Sequence, residues 1–264
     1  MFLCAVAVML MGCGNSEVKV SHGRSDSQVE EKEEASSCEK PEMGSMKDQE
    51  GNEYQTVKIG KQEWMAENLR TTHYADGTQI KQGTKLGETS CTTGYWYYPN
   101  SDTSNKSTYG LLYNWKAVMR NSLSSSANPS GVQGICPTGW HVPSDADWMQ
   151  LIDYVGTQSQ YRCGDDKDHI AKALSSKTKW SYSSNQCAVG NSSSDNNATG
   201  FSALPAGYYY GCCGEFRDKA CFWTATENED SNAYSRQLLY HMVDVHRRDF
   251  YNKSYGFSVR CVRD

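Results

Sequence analysis

Eleven cysteines are the residues of this 264-residue chain with the most chemistry to offer. Thiols at that density bind metal, cycle in redox reactions or pair as disulfides. Structural zinc draws on close pairs such as Cys-x2-Cys or His-x3-His. Here Cys213 and Cys221 stand too far apart for such a pair, and no close histidine completes a set. Disulfides are the better reading, and they place the protein in an oxidising compartment. Setting aside Cys4 and Cys13 in an apolar leader leaves nine: Cys38, Cys91, Cys136, Cys163, Cys187, Cys212, Cys213, Cys221 and Cys261. Nine is odd, so at least one thiol is unpaired or intermolecular, and Cys38, outside any core-forming stretch, is the obvious one. Cys136 with Cys261 is the favoured pair. It ties the entry of a helix to the last strand and closes a loop of roughly 125 residues, worth about 5 kcal/mol in the chain-entropy model. Cys163 with Cys187 clips the base of a Ser/Asn-rich stretch. Cys91, Cys212, Cys213 and Cys221 stay unassigned, except that adjacent Cys212 and Cys213 are poorly placed to bond each other.

The other reactive side chains do not converge. None of His22, His73, His141, His169, His241 and His246 sits in a recognised catalytic spacing. His141, beside Pro143, reads as a packed imidazole bonded to backbone. His241 and His246, five apart, face opposite ways on a strand. With no acid, base or nucleophile constellation, the expectation is a protein that is not an enzyme. Aromatic rings offer a different chemistry. Tyr95-Trp96-Tyr97-Tyr98 and Tyr208-Tyr209-Tyr210 concentrate flat rings that give large contact area at low entropy cost, suited to sugars or protein surfaces. Trp96, Tyr98, Tyr208 and Tyr210 are the ligand-binding candidates. The competing reading packs alternate rings in the core, with Trp96 and Tyr209 among them. Glu227, Asn228, Glu229 and Asp230 offer oxygen ligands to calcium, but a hydrated acidic turn is the simpler account, and no cofactor is expected.

These residues need a scaffold, and its elements are short. From Asp48 onward, apolar runs split by Gly, Asn and Ser give the texture of a loop-rich α+β domain. Tyr54 to Ile59 alternates, Gly60-Lys61 turns, and Gln62 to Met65 returns as a hairpin. Trp115 to Met119 fits a short helix. The clearest helix starts at Ser144, which caps with Asp147 three places on, while Trp148, Leu151, Ile152 and Val155 fall at i, i+3, i+4 and i+7 and Gly156 stops it. A second helix spans Asp168 to Ser175 with Ile170 and Leu174 inward. Gln237 to Val245 reads as a strand. Gly256 to Cys261 reads as a central one, with Phe257, Val259 and Cys261 on one face. Tyr182 to Thr199 reads as an exposed insertion.

The N-terminal stretch is an address. Phe2 to Met11 is an uncharged apolar run of ten residues. That is too short to cross about 30 Å of hydrocarbon but fits a signal-peptide core. Leu10-Met11-Gly12-Cys13 resembles the bacterial lipobox, which makes Cys13 the expected lipidation site and the cell-envelope membrane the expected anchor. Between Gly14 and Asn52 there are ten acidic and five basic residues, which accounts for the whole net charge of −5. The division expected is 1–12 signal peptide, 13–47 acidic tether and 48–264 folded domain. With no basic surplus and a mean hydropathy of −0.72, nucleic acid is excluded as a partner and a multi-span membrane protein as a class.

Several stretches together carry a resemblance: Asp48 to Gly60 with Gln62 to Leu69, Tyr109-Gly110-Leu111-Leu112-Tyr113-Asn114-Trp115, and Cys136-Pro137-Thr138-Gly139-Trp140-His141-Val142-Pro143-Ser144-Asp145 with Trp148. Gly200 to Gly207, Phe222-Trp223-Thr224-Ala225-Thr226-Glu227 and Gly256 to Asp264 complete it. They resemble the FISUMP domain, the Fibrobacter succinogenes major paralogous domain of bacterial lipoproteins and secreted proteins. At longer range the helix entry and the closing Gly-Phe strand resemble the formylglycine-generating enzyme, sulfatase-modifying-factor and C-type-lectin-like superfold. That implies an irregular α+β domain with short antiparallel strands and two to three helices, stabilised by disulfides. The enzyme branch needs two nearby cysteines close to the C-terminal strand, where this chain has Cys261 alone. The expectation is a surface-anchored, lectin-like domain, at the outer membrane or cell surface, that binds polysaccharide or another surface protein without turnover. The alternatives are an extracytoplasmic protein-modifying oxidase and a structural protein that interacts with its paralogues.

Overall fold

The computed structural model describes residues 41–84 and 92–264; the apolar leader, Cys13, Cys38, Cys91 and nearly all of the tether lie outside the described residues. The strands are β1 (Glu42–Lys47), β2 (Glu53–Ile59), β3 (Gln62–Met65), β4 (Lys81–Gln82), β5 (Tyr95–Tyr97), β6 (Leu112–Tyr113), β7 (Trp140–His141), β8 (Tyr208–Tyr209), β9 (Cys213–Gly214), β10 (Lys219–Glu229), β11 (Asn232–Leu239), β12 (His246–Asn252) and β13 (Val262–Arg263). The helices are α1 (Lys106–Tyr109), α2 (Trp115–Met119), α3 (Asp145–Thr157) and α4 (Ala171–Leu174). The described residues form an α+β fold with four α-helices rather than two or three, and among these only α3 exceeds five residues.

The opening hairpin forms as its alternation predicts: β2 and β3 pair antiparallel around Gly60, whose φ of +60° suits glycine. Its partner on the other side was not foreseen. Asp48 Oδ1 accepts from the backbone N–H groups of Glu50 and Asn52, an Asx-type turn that folds β1 back onto β2. The fold therefore starts by Glu42, inside the stretch assigned to the tether. The main sheet runs β1-β2-β3-β13-β7, a second runs β10-β11-β12, and β4-β5-β6 and the β8-β9 hairpin complete the set.

Helix α3 packs its buried face of Trp148, Leu151 and Val155 against these sheets, with Trp148 meeting Trp64 at 4.8 Å and Phe222 at 5.5 Å between ring centroids. Its start is the capping box foreseen, with Ser144 Oγ accepting from Asp147 N–H and Asp147 Oδ2 from Ser144 N–H. Gly156 does not stop it. The helix ends at Thr157, and a Cβ at Gly156 would stand 2.7 Å from the Lys167 carbonyl, so the glycine admits a neighbouring backbone. Asp166 Oδ1 accepts from Asp168 N–H, which holds that segment in a turn and shortens the second helix to α4.

Two other expectations need correction. The strand placed at Gln237 to Val245 is β11, and the chain turns at Tyr240. The expected strand overlaps only the end of β11, whose first part was missed because its buried positions include polar Ser235 and Arg236. Tyr182 to Thr199 is not simply exposed. Ala188 and Val189 are buried, and the buried Asn196 amide donates to the carbonyls of Ser176 and Val189.

Both favoured cysteine pairs are disulfides, Cys136–Cys261 and Cys163–Cys187. The Gly256–Cys261 segment is central, as expected, but it is covered on both sides. Phe257, Val259 and Cys261 enter one core cluster, while Ser258 and Arg260 are buried on the other. Arg260 sits between the rings of Phe201 and Phe222, 4.8 and 5.7 Å away. It donates to Asn68 Oδ1 at 2.7 Å and to the carbonyls of Met65 (2.9 Å), Phe201 (2.5 Å) and Ser202 (2.9 Å). Burial pulls its pKa down to about 9, so it stays charged at neutral pH. His141 is packed, as expected, but on carboxylates rather than backbone: Nδ1 lies 2.8 Å from Asp264 Oδ1 and Nε2 lies 3.5 Å from Asp147 Oδ2.

Replacing Arg260 by Met leaves four acceptors without a donor, a loss of about 3 kcal/mol or more that chemical denaturation of the full chain will register. His141 gives a pH signature. Burial disfavours its charge, but Asp147 and Asp264 outweigh burial and raise its pKa above the ordinary 6.5. Its ion pairs therefore stabilise the fold fully below about pH 6.5 and fade as pH rises through the higher folded value. His141→Gln should lower stability at pH 5.5 more than at pH 9; equal losses at both would contradict this account.

Candidate functional site

The sequence candidates separate by strand alternation. In the β8 segment Tyr209 points one way and Tyr208 and Tyr210 the other. Tyr209 is buried and stacks on Tyr97, centroids 4.0 Å apart and planes 15° apart. That packing needs Gly256, where a Cβ would stand 2.8 Å from the Tyr97 ring and 3.1 Å from Tyr209. Tyr210 stacks in parallel on Tyr255, 4.2 Å apart and 6° from coplanar, and Tyr208 meets the same ring at 5.7 Å. Tyr255 continues to Tyr251 at 5.2 Å, and Tyr251 to Phe250 at 4.9 Å. The result is a rail of five rings across the β8-β9 hairpin, the end of β12 and the loop after it. Tyr210 and Phe250, at 47% and 59% exposure, are its open members.

Burial raises the pKa values of Tyr208 and Tyr255, with Glu215 adding to the first and Tyr208 and Tyr210 to the second. Both phenols stay neutral and keep a donor and an acceptor at any physiological pH. At the base, Lys219 pairs with Glu215 and lies 6.0 Å from the Tyr208 ring.

Trp96 and Tyr98 do not join the rail. Trp96 is 7% exposed and donates its indole N–H to the Ile80 carbonyl, so it is core, which corrects its place among the ligand candidates. Tyr98 packs edge-on against it at 5.1 Å and lines a groove of about 220 Å³ with Tyr97, Ser101 and Tyr209. Sequence reasoning missed Phe250, Tyr251 and Tyr255. Their signal was an aromatic cluster within six residues, overlooked because the strand was placed too early.

A larger groove, about 720 Å³, lies between the first turns of α3 and the second sheet, with Asp145, Met149, Gln150, Asp153, Tyr234 and Arg247 among its lining residues. The guanidinium of Arg247 lies 4.0 Å over the Tyr234 ring. Two members of the Glu227–Asp230 stretch are used internally: Glu227 takes Lys253 Nζ at 2.7 Å, and Asn228 Oδ1 accepts from Tyr234. Among the described residues no three His, Cys, Asp or Glu side chains gather at a common point.

Three described cysteines carry free thiols: Cys212 exposed, Cys213 half-buried with Sγ 3.0 Å from Ser101 Oγ, and Cys221 buried, which pushes its thiol pKa far up. None lines either groove.

No curated protein and no solved structure matches the chain. The family model described as the Fibrobacter succinogenes major domain matches residues 57–263, from the opening hairpin to the last strand. The chain belongs to the Fibrobacter succinogenes major domain family.

Proposed function

We propose that this is a cell-envelope lipoprotein, anchored through acyl chains on Cys13, whose folded part is a lectin-like, non-catalytic domain for extracellular polysaccharide. The single observation that carries the reading is the aromatic rail. Tyr210 and Phe250 present open ring faces, and the neutral phenols of Tyr208 and Tyr255 beside them offer hydrogen bonds. Flat rings flanked by hydroxyls suit the apolar face and equatorial hydroxyls of a sugar. Because the rings are stacked on one another, little entropy is lost when a ligand lands on them.

The lectin-like relationship draws support from the mix of short antiparallel strands with one capped helix, and from a central C-terminal segment bonded through Cys261 to the helix entry. The oxidase alternative asks for two thiols sharing a pocket. Cys212 and Cys213 lie on the hairpin tip, Cys221 is buried, and neither groove is lined by a thiol.

Retention of the full chain on insoluble polysaccharide tests the rail. Tyr210→Ala should weaken it about tenfold while the melting temperature holds, because an exposed stacked ring contributes about 1–1.5 kcal/mol to contact and little to the core. Trp96→Ala should melt the fold instead. Unchanged retention in Tyr210→Ala and Phe250→Ala together rejects the rail. The anchor has its own test: Cys13→Ser should move the protein from the membrane to the soluble fraction and remove the acyl mass from its N-terminal peptide.

A further inference from the structure

Glu215 stands beside the rail with half of its carboxylate unspent. It follows β9 at a φ of +51°, in the left-handed region that residues other than glycine, asparagine and aspartate rarely take. Its carbonyl accepts from the N–H groups of Asp218 and Lys219, closing a turn that brings the lysine back to it. Lys219 Nζ bonds Glu215 Oε2, and the two side chains differ in depth: the lysine is 9% exposed and the glutamate 44%. The cation is thus buried and the anion faces outward. Glu215 Oε1 has no bonding partner among the described residues. The pair is electrically balanced, so what it offers a ligand is an acceptor rather than a net charge.

That acceptor lies next to the rail. Tyr208 folds its ring over Gly214, the residue before Glu215, so closely that a Cβ there would stand 2.5 Å from the phenol oxygen. The same ring lies 6.0 Å from Lys219 Nζ and 5.7 Å from the Tyr255 ring. The charge of Glu215 is among the causes that raise the pKa of Tyr208, as a near neighbour's would be.

We propose that Glu215 is the specificity-determining residue of the rail: its outer oxygen accepts hydrogen bonds from the hydroxyls of a sugar whose apolar face rests on the rings. The inference rests on the polysaccharide reading and names the ligand as a glycan whose hydroxyls are free rather than capped. An ionised carboxylate accepts and never donates, so it needs a hydroxyl proton. The phenols of Tyr208 and Tyr255 donate as well as accept, so they tolerate an ether oxygen. Among these groups only the carboxylate requires the proton.

The test is calorimetric titration of the detergent-solubilised full chain with a β-1,4-linked glucose tetramer, whose ring hydroxyls are equatorial, and with its O-methylated counterpart. The free tetramer should bind about tenfold tighter or more, the worth of a hydrogen bond to a charged group. In Glu215→Gln, Lys219 is a donor only and still takes the side-chain oxygen, which turns the amide nitrogen toward the ligand. A donor then stands where the acceptor stood, and the gap should shrink to about threefold or less. A merely structural Glu215 would lower both affinities and leave the gap. Should the glutamine variant not fold, Glu215→Asn, which suits the left-handed backbone, withdraws the carboxylate and should close the gap likewise. No gap in the wild type, or a gap that survives the substitution, overturns the proposal. If neither tetramer binds, the assignment of Glu215 falls; retention on insoluble polysaccharide that Tyr210→Ala weakens then keeps the polysaccharide reading, and its absence removes that reading too.

Discussion

A single buried guanidinium organises this fold. Among the described residues no carboxylate lies within hydrogen-bond reach of Arg260; its charge is met by three backbone carbonyls, one amide oxygen and two ring faces. Those acceptors come from the end of β3, the chain just after it and the Phe201–Ser202 segment, so one side chain fixes them against the C-terminal segment. The two rings also belong to the aromatic cluster that seats α3, since Trp148 meets Phe201 and Phe222 at 5.6 and 5.5 Å. A planar fork with five fixed donors can satisfy such a set, and an ammonium cannot.

The same constraint explains why the C-terminal segment is central without being a regular strand. Arg260 and the Cys136–Cys261 bond hold it deep, and it changes partners as it passes. Gly256 pairs with Tyr209, Phe257 with Tyr113, Ser258 with Phe222, and Val262 joins the main sheet beside Trp64. The first of these contacts sets the β8-β9 hairpin over the segment, and the alternation along it turns Tyr209 inward and Tyr210 outward. The open rail is thus a surface consequence of how the last segment is buried.

The sequence made local features legible where one force dominated. Capping chemistry and helical spacing located α3, period-two alternation located the first hairpin, and disulfide reasoning found both bonds. Features decided by long-range polar contacts were hidden. β11 buries Arg236 because Asp145, 91 positions earlier, reaches it. Tyr182 to Thr199 reads as a polar insertion, yet Asn196 is buried by bonding carbonyls on either side. Trp96 was offered as a ligand contact because ring content says nothing about which face of a strand is covered. The rail itself joins residues about 45 apart, Tyr210 and Tyr255, and no local pattern announces that pairing.

Arg260 and Arg247 show how a cation is met differently inside the fold and near its surface. Arg260 lies beyond the reach of solvent, so its donors had to be met by the protein itself, and they are. Arg247 shares its carboxylate with a deeper arginine, stands 4.0 Å over the Tyr234 ring and is half-exposed. Desolvation makes an unmet charge costly in the first setting, whereas a half-exposed charge is met by water until something better arrives. The interior cation is therefore matched acceptor by acceptor, while the half-exposed one shares a single carboxylate and leaves the rest to water.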